Sequence, residues 1–137
     1  MITFNYETNF ALANETKVIS WIKEVVLGES FKVGDINYIF CTDEDLHKIN
    51  VEFLQHDNYT DIISFDYTAG KILNGDIYIS VDRVKENAEL YKTSFLNEIH
   101  RVMIHGVLHY MGYEDKTKQD KERMRWAEDK MLTLLKD

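Results

Sequence analysis

The strand-like segments all fall within the first eighty or so positions and only helical patterns follow, so an α+β fold is predicted, a small mixed sheet of about four strands covered by about five helices. Two further observations support that class. A chain of 137 residues buries about two-thirds of the surface its unfolded form would expose, enough for one core. The sequence contains no proline, no internal repeat and no low-complexity run, so nothing reads as a linker and one domain over 1–137 is expected.

The elements follow from local pattern. Ile2 to Asn5 reads as a short strand, and Asn14 is placed to cap a helix running through Trp21 and Ile22 to Leu27, with Gly28 to stop it. Val33 to Cys41 reads as a strand, and Thr42 or Asp43 as the cap of a short helix carrying Leu46, Ile49 and Phe53. Asp61 to Tyr67 is rich in β-forming residues and Gly75 to Ser80 alternates. With turn signals at Ala69-Gly70 and Asn74-Gly75 between them, they predict an antiparallel pair. Ser80 or Asp82 starts a helix to about Tyr91, and Thr93 or Ser94 caps the next, through Met111. A last amphipathic helix carries Met124, Trp126, Ala127, Met131 and Leu135.

Composition narrows the function classes. Hydrophobic residues at 45% and charged residues at 29% argue against disorder. No stretch approaches the ~20 apolar residues of a membrane span, and the first residues lack the regions of a secretory signal, so a cytoplasmic protein without a membrane partner is expected. Cys41 is the sole cysteine, which excludes an internal disulfide and fits a reducing compartment, so no disulfide-linked partner is expected. Between Phe40 and Thr42 it reads as a buried strand residue and a poor nucleophile.

The net charge of −8 repels polyanions at long range. Screening limits that effect to about 8 Å at physiological salt, so local distribution decides. Lys116, Lys118, Lys121, Arg123 and Arg125 cluster near the C-terminus, and Lys85, Lys92 and Arg101 lie earlier. These are either a strand-holding patch for RNA or a solvated face whose charges alternate with Glu122, Glu128 and Asp129.

The chemistry concentrates after Ile99. Between Val102 and Met111 the polar side chains are His105, His109 and Tyr110, so this helix is apolar nearly all round and should be buried. His105 and His109, four apart, stack on one face about 5.4 Å from each other, aimed at a common point. Two buried imidazoles so placed want a shared partner, and a metal ion supplies one while leaving each second ring nitrogen to a neighbouring acceptor. A catalytic Zn²⁺ site needs a third donor and an open position. Gly112 can turn the chain back, bringing Asp115, or its neighbour Glu114, toward the ion. The expected centre is therefore one Zn²⁺ per chain, or another divalent ion, on His105, His109 and Asp115, a helix-borne site of zincin-like kind. Gly106 stands where zinc proteases of the His-Glu-x-x-His type place their general base. It admits either a substrate or a neighbouring strand. Without that base, the ion itself would acidify its water and polarise the electrophile, which suits a phosphodiester.

His105-Gly106-Val107-Leu108-His109-Tyr110-Met111-Gly112-Tyr113-Glu114-Asp115 resembles the signature His-Gly-x-Leu-His-x-x-Gly-Tyr-Asp-His of the YbeY-type metalloendoribonucleases of bacterial rRNA maturation. It departs at Glu114 and at Asp115, which stands for the third histidine. A carboxylate there makes the ion less positive and its water less acidic, so weaker activity than in a three-histidine site is expected. The resemblance extends over most of the chain. Thr60-Asp61-Ile62-Ile63-Ser64-Phe65 is similar to the family's Thr-Asp-Val-Leu-Ser-Phe strand, Gly75-Asp76-Ile77 to its Gly-Asp-Ile strand, and Ile49-Asn50 to its Leu-Asn.

The resemblance implies a single-strand-specific endoribonuclease acting in 16S rRNA 3′-end maturation and ribosome quality control, with rRNA and the small ribosomal subunit as partners. It also implies a substrate groove lined by Thr60, Asp61 and Ser64. His56 falls where members often carry Lys and could touch a phosphate. Leu54 falls where many carry a catalytically important arginine. Two alternatives stand beside the nuclease: a non-catalytic ribosome-assembly factor with a structural metal, and a small zinc-dependent hydrolase or peptidase using Glu98 or Glu114 as base.

Overall fold

The protein is described by a computed structural model over residues 1–56 and 58–135. Among these the elements run β1 (Ile2–Tyr6), α1 (Glu15–Gly28), β2 (Lys32–Cys41), α2 (Asp43–Leu54), β3 (Ile62–Asp66), β4 (Ile72–Ser80), α3 (Val81–Leu90), α4 (Phe95–Tyr110) and α5 (Lys118–Leu132). The strands form one sheet in the order β1-β2-β4-β3. β1, β2 and β4 are parallel, while β3 pairs antiparallel with β4 and lies at the edge. The expected α+β class, with its mixed sheet of four strands and its five helices, is what is found.

Most of the core lies on one face of the sheet. Alternation brings Ile36, Tyr38 and Phe40 of β2 and Ile77 and Ile79 of β4 to the same side, all fully buried. Ile99, Met103, Ile104, Val107 and Leu108 of α4 belong to the same apolar cluster. Tyr38 fixes the separation of the layers by donating its hydroxyl to the Met103 carbonyl at 3.0 Å. The indole of Trp21 in α1 donates to the Met131 carbonyl at 2.8 Å and pins the end of α5. The opposite face carries a smaller cluster in which Leu46 of α2 packs with Cys41 and Ile63. Burial pushes the Cys41 thiol up to about 12, so this sulfur stays protonated and chemically inert.

Of the caps expected in pairs, Thr42, Ser80 and Ser94 are the ones used, each accepting from the backbone N–H three residues on. The last helix, for which no cap was expected, starts on a capping box of Thr117 with Asp120. Asn14 differs: it sits in the left-handed region with φ +58° and makes no side-chain cap. Gly28 ends α1, but Ser30, with φ +66°, makes the reversal. On α5 the buried residues are Met124, Ala127, Glu128 and Met131; Trp126 is 59% exposed, and Leu135 lies beyond the helix.

Asn74-Gly75 is not a turn. Gly75 lies within β4, and the reversal falls instead at Gly70, whose φ is +61°. Tertiary packing overrides the dipeptide signal because the Tyr110 hydroxyl, at the end of α4, crosses over Gly75 to donate to the Phe65 carbonyl at 3.0 Å. A Cβ at Gly75 would collide with that hydroxyl and that carbonyl, whereas one at Gly28 would meet open space. Gly75→Ala is expected to cost about 2 kcal/mol of stability, the scale of overpacking, with Gly28→Ala near neutral. Denaturant midpoints at unchanged slope measure both, and equal responses would contradict this packing.

Candidate metal centre

Glu98, Val102, His105 and His109 succeed one another along α4 at spacings of four, three and four, so they form one stripe. Most of the rest of the helix is committed to the core. After Met111 the chain reverses at Gly112, φ +100°, and Tyr113 donates its N–H back to the Leu108 carbonyl at 3.0 Å. That is the turn the glycine was expected to make. It returns Asp115 to the histidines, while Glu114 is exposed and takes no part.

The three donors meet closely. His105 Nε2 and His109 Nε2 are 3.0 Å apart, and Asp115 Oδ2 lies 3.3 Å from each. These atoms mark a nearly equilateral triangle. In a tetrahedron around Zn²⁺ with ligand bonds of about 2.0–2.1 Å, adjacent donors are separated by about 3.3 Å. The triangle therefore fits one face of such a tetrahedron. Side-chain exposures of 19%, 29% and 43% for His105, His109 and Asp115 show that solvent reaches all three donors. Among the described residues this is the group of histidine and carboxylate side chains that could hold a metal ion.

The direction of His105 is set from behind. Its Nδ1 lies 2.6 Å from Glu128 Oε2, which keeps Nε2 pointed at the shared position. Glu128 is 7% exposed at its side chain and is partnered by Arg101 at 3.0 Å; Arg101 also reaches Asp129 at 2.6 Å. Burial works to lower the His105 pKa and is the largest single influence on it. The Glu128 hydrogen bond and charge, helped by Asp115 and Asp61, outweigh burial and raise it above the ordinary imidazole value.

The site opens into a cleft of about 390 Å³ between α4, the start of β3, α3 and α5. Thr60, Asp61 and Ser64, implied by resemblance to line a groove, do line this cleft. His56 does not; it borders an adjoining hollow with Asn50 and Leu54 that shares Thr60, Ile62 and Ser64 with the cleft. Gly106 is explained by packing, since a Cβ there would press on Ile77 and Ile62. The basic cluster is divided. Arg101 is held in ion pairs, Arg123 lies over Tyr113 and Lys85 over Phe95, whereas Arg125 is exposed, lines the cleft and makes no ion pair among the described residues.

Sequence reasoning missed the role of Glu128. The available signal was an acid on the buried stripe Met124, Ala127 and Met131 of α5, where a charge demands a partner. It also placed Glu98 only as a base for peptide cleavage. Glu98 is 5% exposed and lines the cleft, and burial raises its pKa and that of Asp61 above the ordinary carboxylate range.

A family model described as endoribonuclease YbeY matches residues 3–136. A protein of Flavobacterium johnsoniae named endoribonuclease YbeY is 54% identical over 98% of this chain and 96% of its own length. One of the same name from Cytophaga hutchinsonii is 46% identical over 97% of this chain and 94% of its own. The solution structure of a Thermotoga maritima protein superposes with a TM-score of 0.70 at 24% identity, covering 98% of this chain and 89% of the other, which speaks for the fold alone.

Glu128→Gln keeps the shape and removes the charge. In the metal-free protein the raised His105 pKa means that its pairing with Glu128 stabilises the fold fully below the unfolded imidazole value of about 6.5, and less as pH rises through the folded value. Metal competes with that proton, so affinity weakens as pH falls through the same range. The expected outcome for Glu128→Gln is a lower His105 pKa, read from imidazole NMR resonances, and metal affinity reduced about 10- to 100-fold in chelator competition. An unchanged titration would deny Glu128 its role.

Proposed function

The chain belongs to the endoribonuclease YbeY family, and from that premise we propose that it acts, as one domain, as a metal-dependent endoribonuclease. Its substrate is single-stranded RNA in the cytoplasm, rRNA of the small ribosomal subunit, in 16S 3′-end maturation and quality control. The observation that carries this reading is the convergence of two imidazole nitrogens and one carboxylate oxygen at 3.0–3.3 Å on the floor of an open cleft.

His105, His109 and Asp115 would hold the ion, and their nitrogen and oxygen donors in a tetrahedral face suit Zn²⁺. Such an ion, when bound, acidifies water and polarises a phosphoryl oxygen. The protein's own groups supply the remainder. Glu128 keeps the His105 ring aimed, and Arg101 neutralises Glu128 so that the buried carboxylate is tolerated. Arg125, with no ion pair among the described residues, stands at the cleft rim to receive phosphate charge. Thr60 and Ser64 offer hydroxyls from the opposite wall.

The alternatives gain less support. A peptidase base is missing where Gly106 stands, Glu114 is exposed and does not line the cleft, and Glu98 lies two helical turns from His105. A structural metal would want its fourth position closed by protein, whereas here the donors face a cleft of about 390 Å³.

The test is cleavage of single-stranded and duplex RNA by protein stripped of metal and then restored with zinc. Single-strand cleavage is expected only after restoration, with His109→Ala losing metal and cleavage together. Arg125→Ala should keep its metal and lose roughly tenfold in kcat/KM, the scale of one charged hydrogen bond. Zinc-replete protein that leaves every RNA intact while binding the small subunit as well as His109→Ala does would move the assignment to the assembly factor.

A further inference from the structure

The stripe on α4 does not stop at the histidines. Glu98 lies seven residues before His105, about 10 Å along the helix axis, at the other end of the same cleft. Glu98 is 5% exposed, and its carboxyl makes no hydrogen bond or ion pair among the described residues. With no partner from the protein, this carboxyl lines the cleft and its oxygens are free to accept from something that enters it. Around it stand Asp61, whose Oδ2 accepts from the Asn87 amide at 3.4 Å, and Tyr91, which is 57% exposed.

Phosphate is the wrong occupant, because two carboxyls repel it. A metal ion is better served elsewhere: among the described residues the group of three acid and histidine donors within ligating range is His105, His109 and Asp115, and no such group includes Asp61 or Glu98. Accepting oxygens beside an accessible aromatic ring suit a flat group with N–H donors on one edge and a π face, which is a nucleobase. Guanine presents two parallel N–H donors, N1–H and N2–H, that one carboxylate accepts together. Uracil presents a single N–H between two carbonyls that a carboxylate repels.

We propose that the Asp61–Glu98 end of the cleft is a guanine-binding subsite. Glu98 accepts the Watson–Crick edge of a base near the scissile phosphate, and Tyr91 offers its ring for stacking. This subsite rests on the endoribonuclease reading above, and it gives that activity a positional preference: the cut falls at a fixed offset from an unpaired guanosine.

The test uses oligouridylates carrying one guanosine, the same oligomers with inosine, which lacks the N2 amino group, and all-uridine controls. Zinc-loaded protein is expected to cut at one offset from guanosine about tenfold more than elsewhere, the scale of one bidentate base contact. Inosine should lose most of that preference. Fluorescence anisotropy on the same oligomers should show about tenfold tighter binding of the guanosine oligomer than of oligouridylate, a readout independent of cleavage. Glu98→Gln, with wild-type metal content, should bring both ratios to about one, and Tyr91→Ala should reduce both. Uniform cutting and equal binding by the wild type would overturn the subsite while leaving the nuclease intact. Ratios that survive both substitutions, or a magnesium-dependent signal without base preference, would overturn it as well. If no oligomer is cut, the nuclease reading fails, and the anisotropy ratio still decides the subsite.

Discussion

The contact between His105 Nδ1 and the Glu128 carboxylate, 2.6 Å long and almost out of water, governs how the rest of the site is arranged. It joins α4 to α5, and it selects which ring nitrogen faces Asp115 and His109. A buried carboxylate is tolerated only when its charge is met, and Arg101 meets it while also binding Asp129 one residue along the same helix. The seat of α5 therefore cannot drift. The capping box at Thr117 fixes where that helix begins, and the Trp21 indole fixes where it ends, on the Met131 carbonyl. The same sheet that supports α4 leaves β3 as an edge strand, so Thr60 to Ser64 can form the opposite wall of the cleft.

How much of this was legible in the sequence depended on distance along the chain. The histidine pair, the Gly112 reversal and the returning Asp115 occupy eleven consecutive positions, and helical geometry alone relates them. The strands, the caps at Thr42, Ser80 and Ser94, and the burial of α4 are also local properties. Glu128 follows His105 by 23 residues, and no local rule connects them; the mark it left was a lone acid in an apolar stripe. Asn74-Gly75 carried a strong turn signal, yet the glycine serves the passage of the Tyr110 hydroxyl, a contact between residues 45 apart. Trp126 fitted an amphipathic pattern but is mostly exposed, because α5 spends its buried face on Met124, Ala127, Glu128 and Met131.

A net charge of −8 first argued against a nucleic-acid substrate. The structure relieves that conflict locally, since Arg101, in the cleft lining, already meets the charges of Glu128 and Asp129. Arg125 is left over at the rim. Leu54, where many relatives are implied to carry an arginine, is 40% exposed and borders the neighbouring hollow. The guanidinium that lines this cleft without an ion pair among the described residues comes from α5, not from the loop before β3.

The most direct test of the three-donor centre is a crystal structure of the zinc-loaded protein with data collected on both sides of the zinc absorption edge. One anomalous peak per chain is expected, about 2.0–2.2 Å from His105 Nε2, His109 Nε2 and an Asp115 oxygen, with a non-protein fourth ligand facing the cleft. A peak elsewhere, or a fourth ligand drawn from the protein that closes the site, would contradict the account at its centre.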